Sequence, residues 1–264
     1  MSLFVRESGP VSAPTIVFLH GGGVSGWSWQ PQIEAFPDYH LLVPDLPEHG
    51  RSLSEAPFTF PDAAARIVDL IRDRGHDGRA HVIGLSLGAQ TAVQLLAAAP
   101  EVVDHALLSG ALVRGLPGAS LVRPTIAAYM PFRNIPALVR ANMRSSAIPA
   151  DYYQPFSEDT RALTADALTH TLVANMTFRL PPGLDRVKAA VLVTVGSREY
   201  GIMFGSARDV LAAIPGARGY VVRSAPHNWP LVAPGLFNWT ARAWIEDRAL
   251  PDDLRPLSST SPWK

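Results

Sequence analysis

The amino-acid sequence predicts an α/β fold in which a mostly parallel central sheet carries helices on both faces. Short, continuously apolar runs typical of buried strands alternate with longer stretches that have the spacing of amphipathic helices. The chain has 264 residues and is 47% hydrophobic, which is enough for one large domain with a sizeable core. Alternation of apolar strands with helices favours a parallel sheet that is covered on both sides.

The individual elements follow from the apolar runs and the turn residues between them. The runs predicted as strands are 15–19, 40–44, 81–83, 105–109, 189–195 and 219–223. The stretches predicted as helices are 29–36, 61–74, 206–214, 232–247 and the run after Ser86. The tail from Pro251 to Lys264 is polar and rich in proline and serine, so we expect it to be frayed.

Residues 114–182 break this alternation. The segment contains many prolines, and between them lie short helical patterns that carry tyrosine, methionine and phenylalanine. A segment this apolar is not a solvated linker. We therefore expect a small helical insertion here, between a first half of residues 1–113 and a second half of residues 183–264.

Composition excludes several classes of function. The chain has no cysteine, which rules out disulfides, thiol catalysis and cysteine metal sites. Its 23 basic and 23 acidic residues balance, which argues against binding to nucleic acid or to an anionic membrane. No apolar run reaches about 18 residues, and the N-terminus lacks the pattern of a secretory signal. The sequence therefore predicts a cytoplasmic protein that acts on a small molecule.

A serine between two glycines stands where a predicted strand becomes a helix. The run Gly84-Leu85-Ser86-Leu87-Gly88 follows an apolar strand, and an Ala- and Leu-rich helical stretch follows at once. Such a tight turn approaches disallowed backbone angles, and glycine neighbours remove side chains that would clash. The start of the helix also offers free N–H groups and a positive dipole end. The context predicts Ser86 as a nucleophile, although the five-residue pattern also occurs by chance.

A serine nucleophile needs a base and an acid, and both follow later strands. Functional side chains of a parallel sheet lie at the carboxyl ends of the strands. Glu199 follows the predicted strand 189–195, and His227 follows the predicted strand 219–223. The imidazole would take the serine proton, and the carboxylate would hold the imidazole in the right tautomer. We predict that Ser86, Glu199 and His227 act together.

Two other carboxylates compete with Glu199 for the role of the acid. Asp209 falls inside the predicted helix 206–214, where we expect it to face water. Asp185 precedes the strand 189–195, so we expect it at the opposite edge of the sheet.

Four features together resemble a known family. They are His20-Gly21-Gly22-Gly23, VPDLPEHGRS at 43–52, the serine turn at 84–88, and His227 near the C-terminus. The chain resembles the α/β-hydrolase family, in particular single-domain esterase-like serine hydrolases with a helical cap, over roughly residues 14–247. The resemblance implies an α/β-hydrolase core of residues 1–113 and 183–264 with residues 114–182 as the cap.

The resemblance also implies a reaction and the residues for it. Ser86 would be the nucleophile, His227 the base, and the N–H groups of Gly22 and Leu87 the oxyanion hole. Gly23 is the alternative to Gly22, because the glycine run leaves the register open. The expected reaction is hydrolysis of a mainly apolar carboxylic ester or related acyl compound through an acyl-enzyme, without a cofactor.

The chain departs from the family pattern at two positions. Glu48 replaces a glycine of the usual loop phrase, with no consequence for the reaction that the sequence reveals. Glu199 stands where the family usually has aspartate, and its extra methylene requires the backbone to stand further from His227. The family also leaves open a carbon–carbon bond hydrolase and a receptor that binds without turnover.

A dinucleotide-binding pattern is present as well. The loop Gly21–Gly26 satisfies G-x-G-x-x-G after a strand, and Asp45 ends the next strand, as in an NAD(P)-binding oxidoreductase. That interpretation leaves Ser86 and His227 unexplained, so we keep it as a remote alternative. His20 and His49 are predicted to be structural. The remaining histidines, at 40, 76, 81, 105 and 170, are predicted to lie at the surface or at strand edges, without metal-ligand spacing.

Overall fold

A computed structural model describes residues 3–257 of the chain. Its strands are β1 Val5–Ser8, β2 Thr15–Leu19, β3 His40–Pro44, β4 Ala80–Leu85, β5 Val103–Ser109, β6 Ala190–Gly196, β7 Arg218–Val222 and β8 Leu254–Pro256. They form one sheet in the order β1-β3-β2-β4-β5-β6-β7-β8. The inner strands pair in parallel, whereas β1 and β8 pair antiparallel with β3 and β7. The mostly parallel sheet predicted from the sequence is confirmed.

The helices lie between the strands along the chain. They are α1 Gln30–Ala35, α2 Phe60–Arg74, α3 Leu87–Ala98, α4 Val122–Tyr129, α5 Pro136–Ser145, α6 Tyr153–Ala162, α7 Ala165–Thr177, α8 Gly201–Ala213, α9 Trp229–Val232 and α10 Pro234–Ile245. None of the helices within residues 3–257 is long and apolar enough to cross a membrane.

Apolar side chains fill both faces of the sheet. Successive residues of β2 point to opposite sides, so Val17 and Phe18 belong to different buried clusters. The cluster of Val17 includes side chains of α2, α3 and α8, and that of Phe18 includes side chains of α1 and α10. Strands that are buried on both faces explain the continuous apolar runs in the sequence.

Four helices, α4 to α7, fall between β5 and β6 in the segment where the alternation breaks. Several prolines of this segment fit helices because they occupy the first turn, where a missing N–H costs nothing. Pro136 begins α5, and Pro155 lies in the first turn of α6. Met143 and Phe156 pack with Leu231 of α9 in a small apolar cluster, which attaches these helices to the rest of the fold.

Some boundaries differ from the prediction. The helix predicted from residue 206 begins at Gly201, because the glycine and the exposed Tyr200 hid its first turn. The helix predicted over 232–247 is α10, Pro234–Ile245, and the separate short helix α9, which ends at Val232, was not predicted. The expectation of a frayed tail is wrong for β8, whose Leu254 is buried, and residues 258–264 lie outside the described part.

Candidate functional site

Ser86 stands on a tight turn between β4 and α3. Its backbone has φ 55° and ψ −115°, a conformation that few residues other than glycine adopt. A Cβ at Gly84 would lie 2.5 Å from the carbonyl oxygen of Gly88, and a Cβ at Gly88 would lie 2.0 Å from that of Leu19. Both glycines are therefore required by close backbone contacts around the serine, as the sequence predicts.

The helix that follows Ser86 places backbone N–H groups beside it. Leu87 is the first residue of α3, and Gly22 lies against it, since a Cβ at Gly22 would be 3.8 Å from Cδ2 of Leu87. Neither of these two N–H groups is hydrogen-bonded to another group of residues 3–257. A Cβ at Gly23 would have no neighbour within 4 Å, so Gly23 stands further from the serine turn.

The structure brings Glu199 and His227 into direct contact. Nδ1 of His227 lies 2.5 Å from Oε2 of Glu199, and Oε1 of Glu199 accepts the N–H of Gly196 at 2.7 Å. The Glu199 side chain is 3% exposed and that of His227 is 35% exposed. Because a carboxylate only accepts, Nδ1–H donates to it, and Nε2 of a neutral His227 keeps its lone pair.

The competing carboxylates lie elsewhere. Asp209 does not simply face water as predicted, because its two oxygens accept hydrogen bonds from Arg114 at 2.6 and 2.8 Å. Asp185 lies in a short helical turn before the amino end of β6, at the opposite edge from Glu199. Of these three carboxylates, Glu199 is the one bonded to a histidine.

Ser86, Glu199 and His227 line one cavity of about 590 Å³. It lies at the carboxyl edge of the sheet, and α6 and α7 contribute Phe156 and Asn175 to its wall. Its other apolar lining residues include Val24, Leu112, Ile148 and Met203, and its other polar ones include Ser145, Ser146, Arg198 and Asn228. Apolar groups contribute more of the lining than polar groups do, and the pocket that the sequence predicts as mainly apolar also carries several polar and charged side chains.

Sequence reasoning missed Gly110, which touches the same site. Gly110 follows β5, the strand between β4 and β6, and a Cβ there would lie 2.6 Å from the imidazole of His227. The rule that placed Glu199 after β6 also applies to the residue after β5, so the signal was available.

Asn175 of α7 was missed as well. Its Nδ2 donates to Oε1 of Gln90 at 3.0 Å, and Gln90 is fully buried one turn after Ser86. This bond joins α7 to the helix that carries the nucleophile candidate.

His20 has the structural role that the sequence predicts. It is fully buried, Nδ1–H donates to the carbonyl of Gly21 at 2.8 Å, and Nε2 accepts the N–H of Leu46 at 2.9 Å. Burial lowers the pKa of His20 to about 4, so the ring stays neutral. His20 therefore supports the glycine loop from beneath.

Two other histidines, His40 and His81, correct the prediction of surface or strand-edge positions, whereas His170 is partly exposed. His40 and His81 are buried on β3 and β4, and His40 bonds Glu7 at 2.8 Å. His170 of α7 contacts the carboxylate of Glu48. No group of three or more acidic or histidine side chains within residues 3–257 could hold a metal ion.

The dinucleotide interpretation is wrong for a structural reason. Asp45, which would have to bind a ribose, is 4% exposed and its carboxylate is already occupied. Its two oxygens accept the N–H groups of Gly26 and Arg51, each at 2.8 Å. Asp45 thus braces the glycine loop instead of contacting a cofactor.

Comparison with known proteins gives a family and several relatives. A model of the Alpha/beta hydrolase family matches residues 16–241. An AB hydrolase superfamily protein of Gibberella zeae is 27% identical, and the match covers 97% of this chain and 88% of that protein. A 2-hydroxy-6-oxononadienedioate/2-hydroxy-6-oxononatrienedioate hydrolase of Klebsiella pneumoniae is 27% identical, and the match covers 81% of this chain and 80% of that protein.

Solved structures agree with this grouping. The structure of an esterase from Exiguobacterium antarcticum (EaEST) has a TM-score of 0.78 and 19% identity, and the match covers 92% of this chain and 95% of that one. At this level of identity the likeness concerns the fold.

Proposed function

The chain belongs to the Alpha/beta hydrolase family and is a hydrolase, and from this premise we propose that it cleaves a carboxylic ester or related acyl compound through an acyl-enzyme. The observation that carries the proposal is the 2.5 Å contact between His227 and Glu199 in the cavity that Ser86 also lines. An activated serine needs such a base, and the base needs such a carboxylate.

The first half of the reaction forms the acyl-enzyme. Oγ of Ser86 attacks the substrate carbonyl carbon, and its proton passes to Nε2 of His227 while Glu199 stabilises the imidazolium. The N–H groups of Gly22 and Leu87 bind the oxygen that becomes negative. When the tetrahedral intermediate collapses, the leaving alkoxide takes the proton from Nε2 and departs as an alcohol.

The second half releases the acid. Water enters, gives a proton to Nε2 of His227, and attacks the acyl carbon of the ester on Ser86. Collapse breaks the bond to Oγ, the proton returns from Nε2 to Ser86, and the carboxylic acid leaves. Residues 114–182 would act as a cap over this chemistry, because Ile148, Phe156 and Asn175 line the cavity from that segment. The cytoplasmic location stays a prediction.

A carbon–carbon bond hydrolase is the second candidate. The Klebsiella pneumoniae relative favours this candidate. The name of that protein states a dicarboxylate substrate, and the similarity spans most of both chains. Each reaction gives one proton to its leaving group, and His227 could supply it in both, but a carbanion is far more basic than an alkoxide and must be stabilised before it can leave. The ester reaction therefore asks less of the groups that line the cavity.

A substrate panel and a single variant test the proposal. Turnover is measured with short and long p-nitrophenyl esters, a lactone and a vinylogous diketone. We expect repeated turnover of the esters by the wild type and a loss of at least about 1,000-fold in Ser86→Ala, with an unchanged circular dichroism spectrum. Turnover of the diketone but not of the esters would favour the second candidate, and activity in folded Ser86→Ala would refute both.

Covalent labelling gives an independent readout. A fluorophosphonate should modify the wild type once, at Ser86, and should leave Ser86→Ala unlabelled. Ser146 lines the same cavity, so Ser146→Ala is a control matched for access and should be labelled like the wild type.

A further inference from the structure

Arg198 is a cation at the cavity whose charge the rest of the described chain does not neutralise. It is exposed and lines the cavity beside Glu199 and His227. Within residues 3–257, no carboxylate lies within ion-pair distance of its guanidinium. By contrast, Arg114 and Arg242 each have an aspartate partner at 2.6 to 2.7 Å.

The carboxylate of the neighbouring Glu199 does not neutralise the charge of Arg198. The side chain of Glu199 is 3% exposed, and its two oxygens accept hydrogen bonds from Gly196 and His227. Each oxygen of Glu199 therefore already accepts one hydrogen bond, neither forms an ion pair with Arg198, and Arg198 is exposed to solvent. A carboxylate that enters the cavity would meet Arg198 as its cation.

The backbone of Arg198 is fixed at this place. Its N–H donates to the carbonyl of Ala225 at 3.0 Å, two residues before His227, and Glu199 N–H closes the turn onto Gly196 at 3.0 Å. The arginine is thus held at the join between the turn after β6 and the loop that carries His227. An anchored backbone lowers the entropy cost of binding through a long side chain.

We infer that Arg198 binds a carboxylate of the substrate, so that the preferred substrates are acyl compounds with an anionic group away from the scissile carbonyl. This inference rests on the proposed function and names its substrate class. A guanidinium binds a carboxylate through two parallel hydrogen bonds. Arg198 is the one arginine or lysine that lines the described cavity, which suits a singly charged carboxylate better than a phosphate dianion.

A pair of esters isolates the effect of the charge. The mono-p-nitrophenyl ester of hexanedioic acid and p-nitrophenyl hexanoate have the same chain length and differ in a terminal carboxylate. We expect Arg198→Gln to lower the ratio of kcat/KM for the anionic ester to kcat/KM for the neutral ester by about tenfold, mainly because KM of the anionic ester rises. Arg198→Lys should lose less, and added salt should reduce the preference of the wild type.

Arg255 provides the matched control. It is an exposed arginine on β8 that does not line the cavity, so Arg255→Gln removes the same charge elsewhere and should leave the ratio within about twofold of the wild type. An equal ratio in wild type and Arg198→Gln would overturn the inference, while the proposed function would stand if both esters are hydrolysed through Ser86.

Binding of hexanedioate, measured by calorimetry, does not depend on turnover. We expect Arg198→Gln to bind this dianion at least about fivefold more weakly than the wild type and Arg255→Gln do. Equal affinity in all three proteins, or no binding to any of them, would overturn the inference. If the wild type hydrolyses neither ester but binds hexanedioate through Arg198, the proposed ester reaction fails and the anion site stands.

Discussion

Gly110 lies so close to the imidazole of His227 that no side chain fits between them. A Cβ at Gly110 would stand 2.6 Å from Cε1 and 2.8 Å from Nδ1 of His227, and 3.4 Å from Oε2 of Glu199. Gly110 also has φ +62°, and its N–H donates to the carbonyl of Thr194 on β6 at 3.0 Å. The backbone after β5 therefore forms the surface against which the histidine and its carboxylate pack.

Gly110→Ala should displace the imidazole of His227 and reduce hydrolysis. A shift of about 1 Å in a base can cost about 100-fold in rate, so we expect kcat/KM to fall by at least that factor. Gly118→Ala is the matched control, because Gly118 has φ +89° and open space around its Cβ position. It shares the strain of a left-handed alanine without the clash. Equal loss in both variants would show that strain, not contact with His227, causes the effect.

Glu199→Gln should keep the shape of the site and lose its function. In the wild type, the N–H groups of Gly196 and His227 each donate to one oxygen of Glu199. Glutamine offers one oxygen and an NH₂ group, which cannot accept a hydrogen bond from the second donor. The wrong tautomer of His227 is then favoured, and by analogy with serine-protease triads turnover should fall roughly 10³–10⁴-fold.

Asp209→Asn is the comparison for Glu199→Gln. Asp209 is bonded to Arg114 at a partly exposed position, so removal of its charge should change turnover by less than about fivefold. Steady-state kinetics of both variants decide the matter. The assignment of Glu199 is wrong if Asp209→Asn lowers turnover more than Glu199→Gln does. If both variants turn over like the wild type, the hypothesis that a carboxylate assists His227 is wrong.

The fold could be predicted to the extent that its strands are buried on both faces. The strands β2 to β6 are mostly buried and predicted by their apolar runs, and β7 is predicted by the run that ends in the buried Val221 and Val222. The edge strands β1 and β8 were missed because each is short and largely exposed, as Arg6 and Arg255 show. Pairing to one neighbour only leaves no strong apolar pattern in the sequence.

The site could be predicted where a side chain follows a strand, and not where a contact joins distant segments. Glu199 and His227 both follow apolar strands, so one rule brought them to the same edge. Gly110 has no side chain to attract notice. Glu48 pairs with His170, which is 122 residues away, and a single sequence carries no signal of such a pair.

The contact between Glu48 and His170 explains why this chain has glutamate where the family phrase has glycine. It has φ 61°, where glycine is easier, yet its side chain is 3% exposed. Its carboxylate accepts hydrogen bonds from the N–H of Phe58 at 2.8 Å and from Nδ1 of His170 at 2.9 Å. Glu48 therefore ties α7 to the loop after β3.

Glu48→Ala should destabilise the protein, because two donors at a buried position lose their acceptor. We expect the free energy of unfolding in urea to fall by about 2–3 kcal/mol. Glu101→Ala is the control, since Glu101 pairs with Arg72 at an exposed position and should cost less than about 1 kcal/mol. Losses of equal size would contradict a specific role for the contact with His170.

Asp159 connects α6 to Trp27, which follows the glycine loop, and this connection depends on pH. Its Oδ2 accepts the indole N–H of Trp27 at 2.7 Å. Burial raises the pKa of Asp159 from 3.8 to about 6, and the nearby charges of Asp45 and Glu158 act in the same direction. Hydrogen bonds from Trp27 and Ser25 oppose this shift, but the folded state still favours the protonated form more than the unfolded chain does.

Because the folded protein holds this proton more tightly than the unfolded chain, Asp159 stabilises the fold most below about pH 4, and this contribution is lost as the pH rises to about 6. Asp159→Asn cannot ionise and still offers an oxygen to Trp27. Relative to the wild type, the variant should therefore gain stability between pH 4 and pH 6.5, by at most about 3 kcal/mol.

Asp38→Asn is the comparison for the pH dependence of Asp159→Asn, because the pKa of Asp38 is shifted in the opposite direction. Hydrogen bonds from Arg242 lower the pKa of Asp38, so its contribution is present above the usual pKa of an aspartate and is lost on acidification. Relative to the wild type, Asp38→Asn should lose stability as the pH rises, which is opposite to Asp159→Asn. Urea denaturation at several pH values from about 2.5 to about 7 gives both differences, because the Asp38 change lies below the usual pKa of an aspartate and the Asp159 change lies above it. If the two variants change with pH in the same direction, the buried Asp159 carboxyl is not protonated in the folded state at acidic pH.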